Sequence, residues 1–392
     1  MSRYVYPDLD ALSIQDRESI MLACRMDEAE AVKALLSHAS QEEEAATRVR
    51  FLARGLVRGM IKAQEHQSGI GALLHEYDLS SEEGIALMCL AEALLRVPDK
   101  ATADQLIQDK LSAAHWDAHL GKDRPFFVNA ATWGLWISER IIDTEDRRHW
   151  LGGTVHRLLA RAGAPLVRSA VRRAMAMLGD AFVLGRTIDE ALKRARPREQ
   201  EGYCHSYDML GESARTEEDA RRYFESYRQA IQRIGEAVDL RAPLRERPGI
   251  SVKLSALDAR YEPGQESRLQ CRLLPLILEL CRLARDQGIS LCIDAEESWR
   301  LDLSLDVMEA LIADADLNGW DGLGMAVQAY QKRAWAVLGW LERQAARHRR
   351  TVMVRLVKGA YWDTEIKDSQ QQGLNDYPVF TRKAATDVSY LA

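Results

Sequence analysis

The sequence predicts an α/β protein in which a helical N-terminal arm and a helical domain precede an incomplete (β/α)8 TIM-like barrel with five strands. Before residue 200, apolar residues recur at the three- and four-residue spacing of helices. After residue 200, short apolar segments alternate with amphipathic helices, which is typical of a parallel sheet. Those short segments alternate polar and apolar side chains, whereas strands covered on both faces are apolar throughout. A barrel with a polar inner face accounts for this alternation.

The helical half is predicted to have two parts. Residues 1–62 form a charged helical arm, and residues 63–195 form a more compact helical domain. The segment Arg196-Pro197-Arg198 predicts a boundary, because proline ends or kinks helices. The barrel domain is therefore expected to cover residues 200–392.

Five strands and five helices are predicted in the barrel region. The strands are Tyr203–Met209, Ile250–Leu254, Ser290–Ala295, Gly324–Ala329 and Thr351–Val357. The helices between and after them begin near Thr216, Glu266, Ser304, Gln331 and Asp376. The chain ends within the fifth of these helices.

Composition and charge narrow the classes of function. The formal net charge is -6, which argues against a nucleic-acid partner, and the short basic run at 168–173 is expected on a solvated helix face. The six cysteines form no C-x-x-C pair, which fits a reducing cytoplasm and predicts no metal site. No apolar stretch is long enough to span a bilayer, although peripheral membrane association stays open.

Charged and amide side chains gather toward the C-terminal ends of the predicted strands. These residues are Lys253, Asp294, Glu296, Gln328 and Arg355. A charge left unpaired in a buried face is strongly destabilising, so these positions predict a site at the C-terminal mouth of the barrel. The alternative is an internal ion-pair network that binds no substrate.

The segment from Val354 to Asp363 reads VRLVKGAYWD and combines a strand with a glycine and an aromatic pair. Gly359 permits close backbone approach, and Arg355 and Lys358 supply positive charge. This chemistry predicts a site for a large anionic cofactor with an aromatic ring system. The alternative is a tight structural turn whose aromatic side chains pack inward.

Several motifs together closely resemble the proline dehydrogenase domain of bacterial proline utilization A proteins. They are VRLVKGAYWDTEIK, ISVKLSAL, CIDAEE, AVQAY, YDMLGE and PVFTRKAATDVSYLA. The resemblance covers essentially the whole chain. It implies an FAD-dependent enzyme that oxidises L-proline to 1-pyrroline-5-carboxylate by hydride transfer to flavin N5. This reaction is the first step of proline catabolism to glutamate, and it passes electrons to membrane quinone.

The resemblance also implies roles for particular residues. The catalytic residues would be Lys253, Asp294 and Arg355. Proline would be bound by Lys253, Asp294, Leu356, Tyr361 and Glu212, with the glutamate acting as a gate that pairs with an arginine. The residues that contact FAD would be Gln328, Arg355, Lys358, Gly359, Ala360, Trp362 and Thr381. The resemblance also implies that the sequence is a fragment of a longer protein. The family's last three barrel strands and its final barrel helix, whose arginines bind the substrate carboxylate, are expected beyond Ala392.

The family further implies a cytoplasmic protein with peripheral attachment to the inner membrane, homo-oligomeric at full length. An aldehyde dehydrogenase half would follow the barrel in the longer protein. Two other functions stay open. One is a barrel lyase or aldolase that uses Lys253 as a Schiff-base amine. The other is a DNA-binding repressor of its own genes, as in some family members, against which the acidic balance argues.

Overall fold

The computed structural model of the chain describes residues 11–64 and 183–392. Contacts divide the chain into two units, residues 1–42 with 187–392, and residues 43–186. In the first unit, two helices precede the barrel region: α1 (Ala11–Ala23) and α2 (Glu28–Ala39). In the second unit, the described residues include α3 (Glu43–Gln64). The predicted helical domain at 63–195 lies mostly outside the described residues.

Five strands of the first unit form one parallel sheet. They are β1 (Ser206–Asp208), β2 (Gly249–Val252), β3 (Ser290–Ile293), β4 (Leu323–Gln328) and β5 (Met353–Val357). The order in space is the order in the chain, and each strand pairs with the next in parallel. The predicted fold class is confirmed: a helical N-terminal region leads into serial β/α units, and the described strands do not close the barrel.

Helices precede, connect and follow the strands. They are α4 (Ile188–Gln200), α5 (Glu217–Ala237), α6 (Glu266–Asp286), α7 (Leu301–Ala313), α8 (Ala334–His348), α9 (Trp362–Gln371) and α10 (Lys383–Leu391). Helix α5 begins with a capping box, in which Thr216 Oγ1 accepts a hydrogen bond from the Asp219 N–H at 3.1 Å. The Asp219 carboxylate accepts in return from the Thr216 N–H at 3.2 Å.

The hydrophobic core lies between the sheet and its helices. Ile250 and Val252 of β2, and Leu291 and Ile293 of β3, are almost fully buried. They pack in one cluster with apolar residues of the helices, such as Ile231 of α5. Each such side chain contributes roughly 1.5–3 kcal/mol when it is fully buried. The apolar side of the predicted alternation is therefore the side that faces the helices.

Helix α1 is attached to the barrel region by a buried arginine. Arg17 donates to the carboxylates of Asp306 and Glu309 on α7, the second at 2.7 Å. Its guanidinium also lies 5.1 Å from the centre of the Trp340 ring on α8. The arm segment that precedes residue 43 thus packs against α7 and α8.

The predicted fifth barrel helix, expected to begin near Asp376, is wrong. The structure has α9 directly after β5 and α10 only from Lys383. The segment between them is not helical, because its backbone is bound to the connection between β4 and α8. The Phe380 N–H donates to the Tyr330 carbonyl at 2.8 Å, and the Lys332 N–H donates to the Pro378 carbonyl at 3.1 Å.

Other predicted boundaries shift by a few residues. Strand β1 has three residues instead of the predicted seven at 203–209, because it pairs only with residues 249–251 of β2. Helix α7 begins at Leu301, before the predicted Ser304, and α8 begins at Ala334, after Gln331. Helix α4 runs through Pro197, where the sequence predicted a boundary, and ends three residues later. None of the described helices is both long and apolar enough to cross a bilayer.

Candidate active site

Charged and amide side chains lie at the C-terminal edge of the sheet. Asp208 is the last residue of β1, Lys253 follows β2, Asp294 follows β3 and Gln328 ends β4. Arg355 lies within β5. Because the C-terminal ends of parallel strands lie at the same edge, the fold brings these residues from five strands to one place.

Asp294 is the centre of an ion-pair cluster. Lys253 Nζ donates to Asp294 Oδ2 at 2.9 Å and lies 3.4 Å from both carboxylate oxygens of Asp208. Arg355 donates through Nη2 to Asp294 Oδ1 and through Nη1 to Ser251 Oγ at 2.8 Å. The internal ion-pair network considered from the sequence is thus present, and it joins four strands.

The cluster is buried at its centre and open at its rim. The side chain of Asp294 is 7% exposed and that of Lys253 is 16% exposed, whereas those of Arg355 and Asp208 are 41% and 45% exposed. The exposed rim leaves Arg355 accessible to a ligand.

The environment of Lys253 keeps its ammonium charged. Burial by itself lowers the pKa of Lys253, but the nearby carboxylates of Asp294 and Asp208 outweigh burial and raise this pKa above its ordinary value. A Schiff-base lysine needs a lowered pKa so that the neutral amine can attack a carbonyl. The observed cluster therefore disfavours the lyase or aldolase alternative.

Gln328 joins two loops beside the ion-pair cluster. Its Nε2 donates to the Glu296 carbonyl oxygen at 2.9 Å, and its Oε1 accepts from the Ala360 N–H at 3.0 Å. The Glu296 carboxylate accepts from the Ser255 N–H at 3.0 Å and pairs with Arg300 at 2.8 Å. Burial raises the pKa of Glu296, and these contacts offset part of that effect. The loop after β3 is thus held by Gln328 of β4 and by Ser255, which follows β2.

Gly359 occupies a position that other residues cannot adopt without strain. Its φ is +138°, and an added Cβ would lie 2.4 Å from the Tyr330 ring. The Tyr330 hydroxyl in turn accepts from the Tyr361 N–H at 3.3 Å. The backbone from 358 to 361 therefore runs close to the Tyr330 ring. The side of this backbone that faces away from the ring is exposed and open to a flat ligand.

The remaining predicted site residues make separate contacts. Tyr361 donates from its hydroxyl to Glu212 Oε2 at 3.2 Å, so the predicted gate glutamate contacts a tyrosine among the described residues. Trp362 Nε1 donates to the Phe380 carbonyl at 2.9 Å, and the Trp362 side chain is partly exposed. Leu356, on β5, packs against the hydrophobic core cluster.

Two predicted cofactor residues lie farther along the same edge. Lys358 pairs with Asp387 of α10, which Lys383 also contacts at 2.9 Å. Thr381 donates from its N–H and its hydroxyl to Glu28 of α2, at 3.0 and 2.8 Å. Thr381 is therefore attached to the N-terminal helices and is not part of the Asp294 cluster.

Sequence reasoning missed several residues that shape the site. Ser251 binds Arg355, and Asp208 binds Lys253. Asp208 could have been found from its position, because it lies near the end of a predicted strand in the same way as Asp294. Tyr227 of α5, whose hydroxyl accepts from the Lys253 N–H at 3.2 Å, carried no local signal.

Comparison with known families decides the assignment. Residues 191–392, just over half of the chain, match the family profile described as proline dehydrogenase. The chain belongs to the proline dehydrogenase family. Residues 16–60 match the profile of the proline utilization A proline dehydrogenase N-terminal domain, and residues 69–182 match the profile of the DNA-binding domain of proline dehydrogenase. The resemblance found from the motifs is confirmed.

Individual relatives agree with the family profile. The chain is 48% identical over 380 residues to the bifunctional protein PutA of Escherichia coli, and 48% identical over 375 residues to that of Rhizobium meliloti. A crystal structure of a mutant of Bradyrhizobium japonicum proline utilization A matches with a TM-score of 0.66 and 46% identity, over 93% of this chain and 36% of that one. The chain spans 29% of the Escherichia coli protein, or about a third of these relatives.

The match at residues 69–182 bears on one expectation from the sequence. The net charge predicted no nucleic-acid partner, whereas the description of this profile names DNA binding. The matched residues lie outside the described ranges. The absence of a nucleic-acid partner stays a prediction.

Proposed function

We propose that this chain forms the proline-oxidising part of an FAD-dependent proline dehydrogenase, which converts L-proline to 1-pyrroline-5-carboxylate. The observation that carries the proposal is the cluster of Lys253, Asp294 and Arg355 at the C-terminal edge of the sheet, in a chain of this family. Paired cations and carboxylates at the mouth of a β/α sheet match a zwitterionic substrate such as proline in charge.

The donor set also fits a flavin. Gly359 allows close approach of the backbone, Gln328 and Ala360 hold that wall in place, and Trp362 offers an exposed indole. Lys358 is a partly exposed positive charge that would pair with the diphosphate of FAD. The chemistry that FAD supplies when bound is hydride acceptance.

The chain's own residues then orient and tune the reaction. Lys253 stays charged and, together with Asp294, binds and orients the substrate. Arg355 places a partly exposed positive charge at the site, which would stabilise negative charge on a bound flavin. Leu356 and Tyr361 supply apolar and aromatic surface against the pyrrolidine ring, which excludes water. From the family we also propose electron transfer to membrane quinone, a cytoplasmic location with peripheral membrane attachment, and a homo-oligomeric full-length protein.

An anaerobic titration tests this proposal. The purified protein should show a flavin absorption band that bleaches on addition of L-proline and not of D-proline. The variant Lys253→Met should bind flavin, but L-proline should bleach its flavin absorption only weakly. The control Lys193→Met, at an exposed position on α4, should behave as wild type. A protein that takes up no flavin, or whose flavin does not respond to L-proline, contradicts the proposal.

DNA binding is a second candidate function, and one observation favours it: the match of residues 69–182 to a profile described as a DNA-binding domain. The formal net charge of -6 disfavours it. A gel-shift assay with the DNA upstream of the gene tests whether the protein binds DNA. Specific binding that weakens steeply with added salt would establish the function, because phosphate contacts release counterions.

A further inference from the structure

Glu365 is a buried carboxyl group in the first turn of α9 and has no part in the function proposed so far. It is 4% exposed. Its Oε1 accepts a hydrogen bond from the N–H of Ser298, which lies 67 residues earlier in the sequence. Ser298 is 3% exposed and begins the short 3-10 helix that follows β3. A buried backbone N–H requires an acceptor, and Glu365 is the acceptor here.

Ser298 is also held from the opposite side. Arg333, which immediately precedes α8 and is 3% exposed, donates from Nη2 to the Ser298 carbonyl and lies 3.3 Å from its hydroxyl oxygen. Ser298 is therefore fixed between a carboxyl group from α9 and a guanidinium group next to α8.

Gln328 provides a second link between the same two segments. It joins the Glu296 carbonyl to the Ala360 N–H. The segment 294–298 is thus bound to the segment 358–365 at two points, through Gln328 near the sheet and through Glu365 near α9. The first segment begins with Asp294, and the second contains Lys358 and Gly359.

We propose that Glu365 is a positioning residue that acts through the Ser298 amide. It holds the segment 294–298 against the segment 358–362 and so sets the shape of the site between Asp294 and Gly359. The inference rests on the proposed function, since the two segments are the walls assigned to proline and to flavin.

The ionisation of Glu365 adds a dependence on pH. Burial raises its pKa to about 7; the Ser298 N–H and Arg333 act in the opposite direction, while Glu297 and Asp368 add to the increase. Tyr330 also faces it, and its own pKa is raised by burial and then by Glu365. At pH 8 the carboxylate makes a charge-assisted bond, and at pH 6 a weaker neutral one. The difference corresponds to about a five-fold loss of flavin affinity at the lower pH.

The test compares Glu365→Leu, Glu365→Gln and the control Gln370→Leu, which changes an exposed residue on the same helix. Hydrogen–deuterium exchange of the peptide that contains Ser298 should be faster by about ten-fold in Glu365→Leu, because the amide loses its acceptor. At pH 6, where the wild-type carboxyl is mostly protonated, exchange should be unchanged in Glu365→Gln, which keeps an acceptor oxygen, and in the control. At this pH, flavin affinity and the KM for proline should worsen by about ten-fold in Glu365→Leu alone.

The pH profile gives a readout that a merely structural residue does not change. Wild-type flavin affinity should fall between pH 8 and pH 6, whereas that of Glu365→Gln should be flat. Unchanged exchange in Glu365→Leu overturns the inference, and so does fast exchange with normal flavin affinity and KM. If Glu365→Leu does not fold, the dependence of flavin affinity on pH is compared between wild type and Glu365→Gln. Identical pH profiles for these two proteins overturn the inference. Absence of flavin from the wild-type protein is a separate result, and it refutes the proposed function.

Discussion

Replacement of Glu365 by glutamine should change how protein stability depends on pH. Burial raises the pKa of the Glu365 carboxyl from 4.5 to about 7 in the folded protein. Between these two values the folded state holds a proton that the unfolded state has released. The free energy of unfolding of the wild type therefore falls as pH rises through this window. Since one pKa unit corresponds to about 1.36 kcal/mol, the fall amounts to about 3 kcal/mol.

Glutamine keeps the shape and an acceptor oxygen but does not titrate. The difference in free energy of unfolding, variant minus wild type, should therefore increase by about 3 kcal/mol from pH 4.5 to pH 8. Urea denaturation at a series of pH values and constant ionic strength measures this difference. The control Glu342→Gln removes an exposed glutamate from α8 and should leave the pH dependence of the free energy of unfolding as it is in the wild type. A difference between Glu365→Gln and wild type that stays constant over this range refutes the reasoning.

Three further changes have defined outcomes. Asp294→Ala leaves two cations without their shared carboxylate, so it should lower the free energy of unfolding by about 3 kcal/mol and abolish bleaching by proline; normal bleaching would remove Asp294 from the site. Gly359→Ala places a methyl group against the Tyr330 ring at a φ of +138°, so it should reduce stability by about 2 kcal/mol and lower the flavin-to-protein absorbance ratio. Arg17→Met removes a buried guanidinium that binds Asp306 and Glu309 of α7 and should lower Tm, whereas Arg245→Met at an exposed position should not; equal Tm values would show that α1 is not held by this arginine.

The strands and their polar face were predictable because side-chain alternation is a local property. Ser251 and Lys253 alternate with Ile250 and Val252 in the sequence, and the structure buries the second pair against the helices. The starts of α5 and α6 were predictable for the same kind of reason, since a capping residue or an acidic first turn lies within a few residues of the helix it begins.

Contacts between distant segments were decided only by the tertiary structure. The sequence placed Asp294 on the polar face but did not show that it binds both Lys253, 41 residues away, and Arg355, 61 residues away. It gave no sign that Glu365 accepts from Ser298. The non-helical segment before α10 likewise depends on backbone hydrogen bonds to the β4–α8 connection. Periodicity reports which face a side chain occupies, whereas its partner depends on which strands and helices the folded chain brings together.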